Sequence, residues 1–228
     1  MVLPLSRGPE CPSHIAGAIR SFSGEVTKIF TPQGQLDFSA EFARVRAANP
    51  DAVFAFYPGT AGVAFVKQYS QSGLPKTIPL YANNALMDSQ LFPAMGDAAL
   101  GVVFSAHYNP DLDNAANKRF VADFVKKFGR APSTFASQSY DAMMLLDSTV
   151  RQLKGRIDDK EALRATLRKA QFQSVRGPFR FNVNHMPIQN IYVQRVEKRA
   201  NGELYARLLG VAAENVKDNF YTECPMKW

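Results

Sequence analysis

The order of segments between residues 25 and 81 constrains the fold most. Residues 52–57 (AVFAFY) form an unbroken apolar run, closed by Asn49-Pro50-Asp51 on one side and Pro58-Gly59 on the other. A run apolar at every position suits a strand covered on both faces, as in a parallel sheet. Before it, residues 25–31 (EVTKIFT) are rich in β-branched and aromatic residues and predict a strand. A helix over about 38–49 follows, with Phe38, Phe42 and Val45 on one face. After it, Val66 and Tyr69 share a stripe in a helix over about 61–72, which Gly73-Leu74-Pro75 stops. Residues 77–81 predict a third strand. The order β-α-β-α-β with short loops implies parallel strands joined by right-handed crossovers.

The rest of the chain adds helices and then changes character. Residues 101–107 (GVVFSAH) predict another strand, followed by a loop of Asn, Asp and Pro at 109–114. Phe120, Phe124 and Phe128 repeat every four residues in a helix over 117–128, which Gly129 and Pro132 end. A second helix over 140–153 is expected to turn Met143, Leu146, Val150 and Leu153 inward. Asp158 and Glu161 resemble a capping box opening a third helix through Ala170. Strands are expected at 177–183, 189–198 and 203–212, with Asn201-Gly202 as a two-residue hairpin turn. Residues 1–23 show no sustained period and read as loop. The fold class is therefore α/β, a parallel sheet with flanking helices that ends in antiparallel strands.

Composition narrows function by exclusion. The chain has 228 residues, 46% apolar and 21% charged, ordinary for a globular protein. A net charge of +7 raises the question of nucleic acid or an anionic surface. The cations are scattered, however; their densest groups are Lys126-Lys127 with Arg130, and Arg195 with Lys198-Arg199. No zinc-finger, RNP or basic-zipper pattern accompanies them, so no nucleic-acid partner is expected. His14, His107 and His185 lack metal-ligand spacing to another His, Cys or carboxylate. No G-x-S-x-G elbow, P-loop or H-E-x-x-H occurs, and Gly59-Thr60-Ala61-Gly62 does not match G-x-G-x-x-G. Neither enzymatic activity nor a cofactor or metal is expected. A nucleotide-using enzyme on a doubly wound sheet is the competing reading, and a phosphate loop for it is lacking. No run of 18 apolar residues exists, and the first nine residues lack an apolar stretch long enough for an export signal. Cys11 and Cys224 pair or stay as thiols; spacing leaves both open.

Position within the fold supplies the candidate site. Ligands of open parallel sheets bind beyond the carboxyl ends of the strands. Tyr57, Pro58, Gly59 and Thr60 fall there, at the start of a helix whose free N–H groups favour an anion such as a carboxylate. Asn83 and Asn84 follow the third strand and offer amides to a polar ligand. Ser139 and Tyr140 lie in a third candidate, Ser137-Gln138-Ser139-Tyr140-Asp141, at an expected helix start. Each segment also serves as a plain turn or helix cap, the reading the residues alone favour for the first two, while the third stays open between the two.

Taken together, these segments resemble the periplasmic solute-binding proteins of branched-chain amino acid transporters, the leucine-binding-protein family. The matching stretches are Gly34-Gln35-Leu36-Asp37-Phe38-Ser39, residues 50–59 (PDAVFAFYPG) and Gly96-Asp97-Ala98-Ala99-Leu100-Gly101. Asn117-Lys118-Arg119-Phe120, Ser139-Tyr140-Asp141-Ala142 and residues 175–181 (VRGPFRF) continue the series. They stand in family order over about residues 24–212. The resemblance implies a two-lobed, periplasmic-binding-protein type I fold that closes on its ligand. Residues 24–107 would form a second-lobe α/β unit and 108–175 a helical part of the first lobe. Residues 176–228 would return to the second lobe and a tail, with 1–23 irregular. It also implies an incomplete first lobe, periplasmic location, a small carboxylate ligand (amino acid or aromatic acid) and a membrane permease partner. The family's contacts carry over to Tyr57, Pro58, Gly59, Thr60, Asn83 and Asn84, with Ser139 and Tyr140 added. Family members are longer, so a truncated product, without an export signal and with exposed apolar helix faces, is expected. A fragment with no binding function is the alternative outcome.

Overall fold

A computed structural model describes residues 2–4 and 25–223. Cys11, Cys224 and His14 lie outside the described residues, and the question of a disulfide with them. The chain divides into two compact units, Met1–Ser105 with Gln194–Arg207, and Ala106–Val193 with Leu208–Trp228.

The first unit is built on a parallel sheet. Its strands are β1 (Val2–Pro4), β2 (Ile29–Thr31), β3 (Val53–Ala55), β4 (Leu80–Asn83) and β5 (Val103–Ala106). Their order across the sheet is β2-β1-β3-β4-β5, every pairing parallel. Next to β5 comes β7 (Pro187–Lys198), whose Val196 exchanges backbone hydrogen bonds with Gly101 and Val102. The expectation that residues 1–23 are irregular fails at Val2–Pro4, which form the strand between β2 and β3. A three-residue strand in a Pro- and Gly-rich stretch leaves no periodic signal. It also explains the shortness of β2: only Ile29–Thr31 find partners, because the ladder ends where β1 does. The third strand comes later than expected. Residues 74–78 close a turn, with Thr77 and Ile78 donating to the Leu74 carbonyl. The strand therefore starts at Leu80 and takes in Asn83.

Helices α1 (Ser39–Ala48) and α2 (Gly59–Gln71) cover this sheet through aromatic rings. Phe38, Phe42, Tyr57, Phe65 and Tyr69 are all buried. Phe38 meets Tyr57 edge-on at 4.9 Å and Phe65 at 5.1 Å, and Tyr57 stacks on Phe65 at 5.0 Å. Such pairs add about 0.5–1.5 kcal/mol each beyond the area they bury. A short helix, α3 (Phe92–Met95), adds Phe92 and Met95 to the core.

The second unit carries α4 (Ala115–Phe128), α5 (Thr134–Gln152) and α6 (Lys160–Arg168). With them are β6 (Arg180–Phe181), paired antiparallel to β7, and part of β8 (Leu204–Val216), which also pairs with β7. Tyr108, Leu112, Phe120, Val175 and Tyr192 form its core. Asn114 caps α4 by accepting from the Asn117 amide at 2.8 Å, and Gly129 ends it at φ 68°. The α5 helix starts six residues before the expected position 140, because Ser133 caps it and accepts from the Ala136 amide. Asp159, not Asp158, caps α6, and Glu161 turns outward to Arg164 instead of completing a capping box. The hairpin between β7 and β8 has three loop residues, not two. Gly202 donates to the Arg199 carbonyl, Arg199 donates to that of Glu203, and Gly202 takes φ +88°. This is a type I turn closed by a glycine bulge. Met143, Leu146 and Val150 do not turn inward: they are 63%, 44% and 40% exposed.

Candidate functional site

The candidate site grows from two neighbouring strands. Ala55 of β3 pairs with Ala82 of β4, so the chain leaves both strands on the same edge of the sheet. In a β2-β1-β3-β4-β5 order the winding reverses between β1 and β3, the point beyond whose carboxyl ends open sheets of this kind bind ligands. The loop after β3 stands beside that point.

After β3 the chain stays extended to Pro58, at φ −78° and ψ 150°. Gly59 then begins α2 at φ +65°, a backbone angle a side chain would strain. No side chain caps this end, and no acid stands in its first turn. Among the described residues, the leading N–H groups of this 13-residue helix thus have no side-chain acceptor, and they stand beside the exposed residues Pro58, Gly59 and Thr60. Their dipoles favour a negative charge. Gly62 allows the next loop to come close: a Cβ there would stand 2.3 Å from the Tyr57 carbonyl oxygen and 2.7 Å from Leu86 Cδ1. Leu86 belongs to the turn after β4, so this glycine seats the two loops side by side.

Asn83 holds that second loop. Its side-chain oxygen accepts from the Leu86 amide at 3.3 Å, and its carbonyl accepts from Leu86 and Met87. The Asn83 amide nitrogen, a donor, makes no hydrogen bond among the described residues. Asn84 is half-buried beside it. The structure therefore brings Pro58, Gly59, Thr60, Asn83 and Asn84 to one edge. Tyr57 is different: its ring lies in the core and its hydroxyl pairs with Thr31 at 3.0 Å. Burial pushes this phenol up to about 12, against the Thr31 hydrogen bond. Ser139 and Tyr140 lie within α5, in the other unit. The Ser139 hydroxyl donates to the Phe135 carbonyl at 3.1 Å, and the Tyr140 ring packs on Phe120 at 4.4 Å. Neither begins the helix, since Ser133 does.

The second unit holds a polar network that sequence reasoning did not isolate. Asp141 is 1% exposed and accepts from Arg176 Nε at 2.8 Å, from the Ser174 hydroxyl at 2.6 Å and from the Val175 amide at 2.9 Å. Arg176 also donates to Gln189, and its carbonyl accepts from Tyr192. His107 Nε2 lies 2.7 Å from the Gln138 amide nitrogen, so the ring accepts there in its neutral form. Burial, aided by the Arg176 charge, lowers its pKa to about 4. Asp141 and Arg176 both stand in the stretches that carry the family resemblance, which was the available signal.

Among the described residues no group of three or more His, Cys, Asp or Glu could hold a metal ion, and no helix is long and apolar enough to cross a membrane. A doubly wound α/β sheet with anion-favouring amides at its switch point defines a ligand-binding class of protein. The match to known proteins makes the class specific. The family described as periplasmic binding protein matches residues 13–203, and the chain belongs to that family. The match opens ahead of residue 24, where the resembling stretches began.

The relatives agree. Leu/Ile/Val-binding protein homolog 6 of Brucella melitensis is 31% identical over 204 residues, 87% of this chain and 52% of the relative. A solute-binding protein of an ABC transporter from Rhodopseudomonas palustris, solved in complex with benzoate, shares 33% identity and superposes with a TM-score of 0.84. That match covers 96% of this chain and 59% of the other. The leucine-binding protein LivK of Thermotoga maritima, 25% identical, superposes at 0.76 over 90% of this chain and 59% of its own. The chain spans about half the length of the curated relatives it matches. The fold is that of the type I periplasmic binding proteins, a family of solute-binding proteins rather than enzymes.

Proposed function

We propose that this chain belongs to the solute-binding component of an ABC-type transporter and captures a small carboxylate. The solute is an amino acid or an aromatic acid, the place of capture is the periplasm, and the partner is a membrane permease. The carrying observation is the uncapped, acid-free start of α2 beside the amides of Asn83 and Asn84. A carboxylate would accept from the leading N–H groups of α2, with Gly59 and Thr60 letting it approach and Asn83 and Asn84 donating to its second oxygen or a neighbouring polar group. Tyr57 would act from beneath, fixing the loop through Thr31. Ser139 and Tyr140 are left outside this site, since both are engaged within the second unit. Benzoate and leucine stand as candidate solutes because the relatives' names pair such molecules with this fold.

The test is thermal unfolding in the presence of benzoate, 4-hydroxybenzoate and leucine, with benzamide as the uncharged control. At one hundred times the dissociation constant, a bound solute stabilises by about 2.7 kcal/mol, roughly 5–10 °C for a chain of this size. One of the carboxylates should raise the melting temperature and benzamide should not. No shift with any carboxylate, or equal shifts with the amide, would remove the reading.

A further inference from the structure

A cavity of about 330 Å³ lies within the second unit, between α4, α5 and residues 171–173. That is the lower end of the range for small-molecule sites, about 300–1,000 Å³. On α5 its lining residues Tyr140, Met144, Ser148 and Arg151 recur three or four positions apart, as one helical face does. At about 100° per residue this face is turned roughly 120° from the exposed Met143, Leu146 and Val150. The walls are tied together by hydrogen bonds of their own. The Ser148 hydroxyl donates to the Gln171 carbonyl and accepts from the Gln152 amide at 3.0 Å. At the start of α4 the Asn114 amide donates to the Val175 carbonyl at 3.3 Å.

The charges around this cavity do not cancel. Asp147 is the single acid among the lining residues, and it accepts from Arg151 Nε at 2.8 Å. Arg119 makes no hydrogen bond or ion pair among the described residues, so two guanidinium groups share the cavity with one carboxylate. The Tyr140 hydroxyl and the side-chain amide of Gln173 likewise have no hydrogen-bond partner among the described residues. A guanidinium offers its N–H groups as a fixed planar fork, which matches the two oxygens of an oxyanion. Tyr140, Met144 and Phe172 supply an apolar wall. Its rings are held from behind, Tyr140 by Phe120 at 4.4 Å and Phe172 by Phe179 at 5.3 Å. We propose that this cavity is a second binding site, in the unit that does not hold the loops after β3 and β4. Its ligand is a small aromatic molecule carrying one oxyanion, a carboxylate or a phosphate. Arg119 and the terminal nitrogens of Arg151 hold the oxyanion, and the ring lies against Tyr140, Met144 and Phe172.

The experiment titrates the isotope-labelled full chain with benzoate, phenyl phosphate and benzyl alcohol, following backbone amide shifts by NMR. Benzoate or phenyl phosphate should move the amides of Arg119, Tyr140, Ser148, Arg151 and Phe172 to saturation, and uncharged benzyl alcohol should not. Whichever acid binds tighter identifies the oxyanion. The amides of Thr60 and Asn83 report the proposed solute site separately, so success or failure there does not bear on this cavity. Arg119→Gln should weaken binding at the cavity by about tenfold or more, because it removes the unpaired fork. Asp147→Asn, which releases Arg151, should tighten it by about threefold. Both positions are exposed, so the circular dichroism of each variant should stay that of the parent. Cavity amides that stay still with both acids, or that respond equally to benzyl alcohol, would overturn the proposal. So would parent-like binding by Arg119→Gln, or weaker binding by Asp147→Asn.

Discussion

At the scale of single residues, the Asp141–Arg176 pair has the most at stake. Both members are buried, and Asp141 accepts three hydrogen bonds at once. A buried ion pair adds little net stability over an apolar pair of the same shape. Removing one member, however, leaves the other charge uncompensated and costs about 3–5 kcal/mol. Asp141→Ala is therefore expected to lower the urea midpoint by an amount in that range. Asp141→Ala combined with Arg176→Met should recover part of the loss. An additive double variant would show that the pair does not act as a unit. His107 makes a second prediction, on pH. Its pKa falls from 6.5 to about 4 in the fold, so the unfolded chain binds the proton first. Its contribution is complete above pH 6.5 and drains away as pH falls toward 4, by an amount on the order of 3 kcal/mol. Carboxylates titrate in the same window, so the measure is the difference between the parent and His107→Gln, whose stability should fall less steeply there. The resembling stretches flagged Asp141 and Arg176 one by one, but their pairing was not legible in sequence. Asp141 and Arg176 stand 35 positions apart, and only the folded chain shows that one balances the other.

At the scale of elements, Gly62 sets how closely α2 lies against the loops of the candidate site. Alanine in a helix interior ordinarily stabilises by roughly 0.5–1 kcal/mol relative to glycine. Here the added methyl would meet a backbone oxygen at 2.3 Å, and backbone yields little. Gly62→Ala is expected to destabilise by about 1–3 kcal/mol, and also to weaken any carboxylate-dependent stabilisation. Stabilisation by Gly62→Ala would show that the loops are not held together as described. Most elements were legible because their apolar periods are strong: α1, α2 and α4 were found within about two residues. The start of α5 was not, because Thr134–Ser139 carries hydroxyls and an amide where an amphipathic stripe would be sought. Its cap, Ser133, follows the Pro132 that punctuates the preceding helix.

At the scale of the whole molecule, fold class was legible and sheet order was not. The alternation of strand and helix from residue 25 onward dictates a parallel sheet. The switch point beside β3 depends on β1, three residues without a pattern of their own, inserted between two strands distant in sequence. The edge of the sheet that gathers Pro58, Gly59, Thr60, Asn83 and Asn84 was legible from strand polarity alone. The withdrawal of the Tyr57 side chain into the core was not, since an aromatic residue at a strand end reads the same whether its ring turns in or out.

The chain passes between its two units three times: after Ser105, after Val193 and after Arg207. A protease that severed the first passage would free no half. The piece beginning at Ala106 would still hold Gln194–Arg207 knitted into the other unit, with Val196 bonded to Gly101 and Val102. Such a nicked protein should run as two bands once denatured and as one particle while folded.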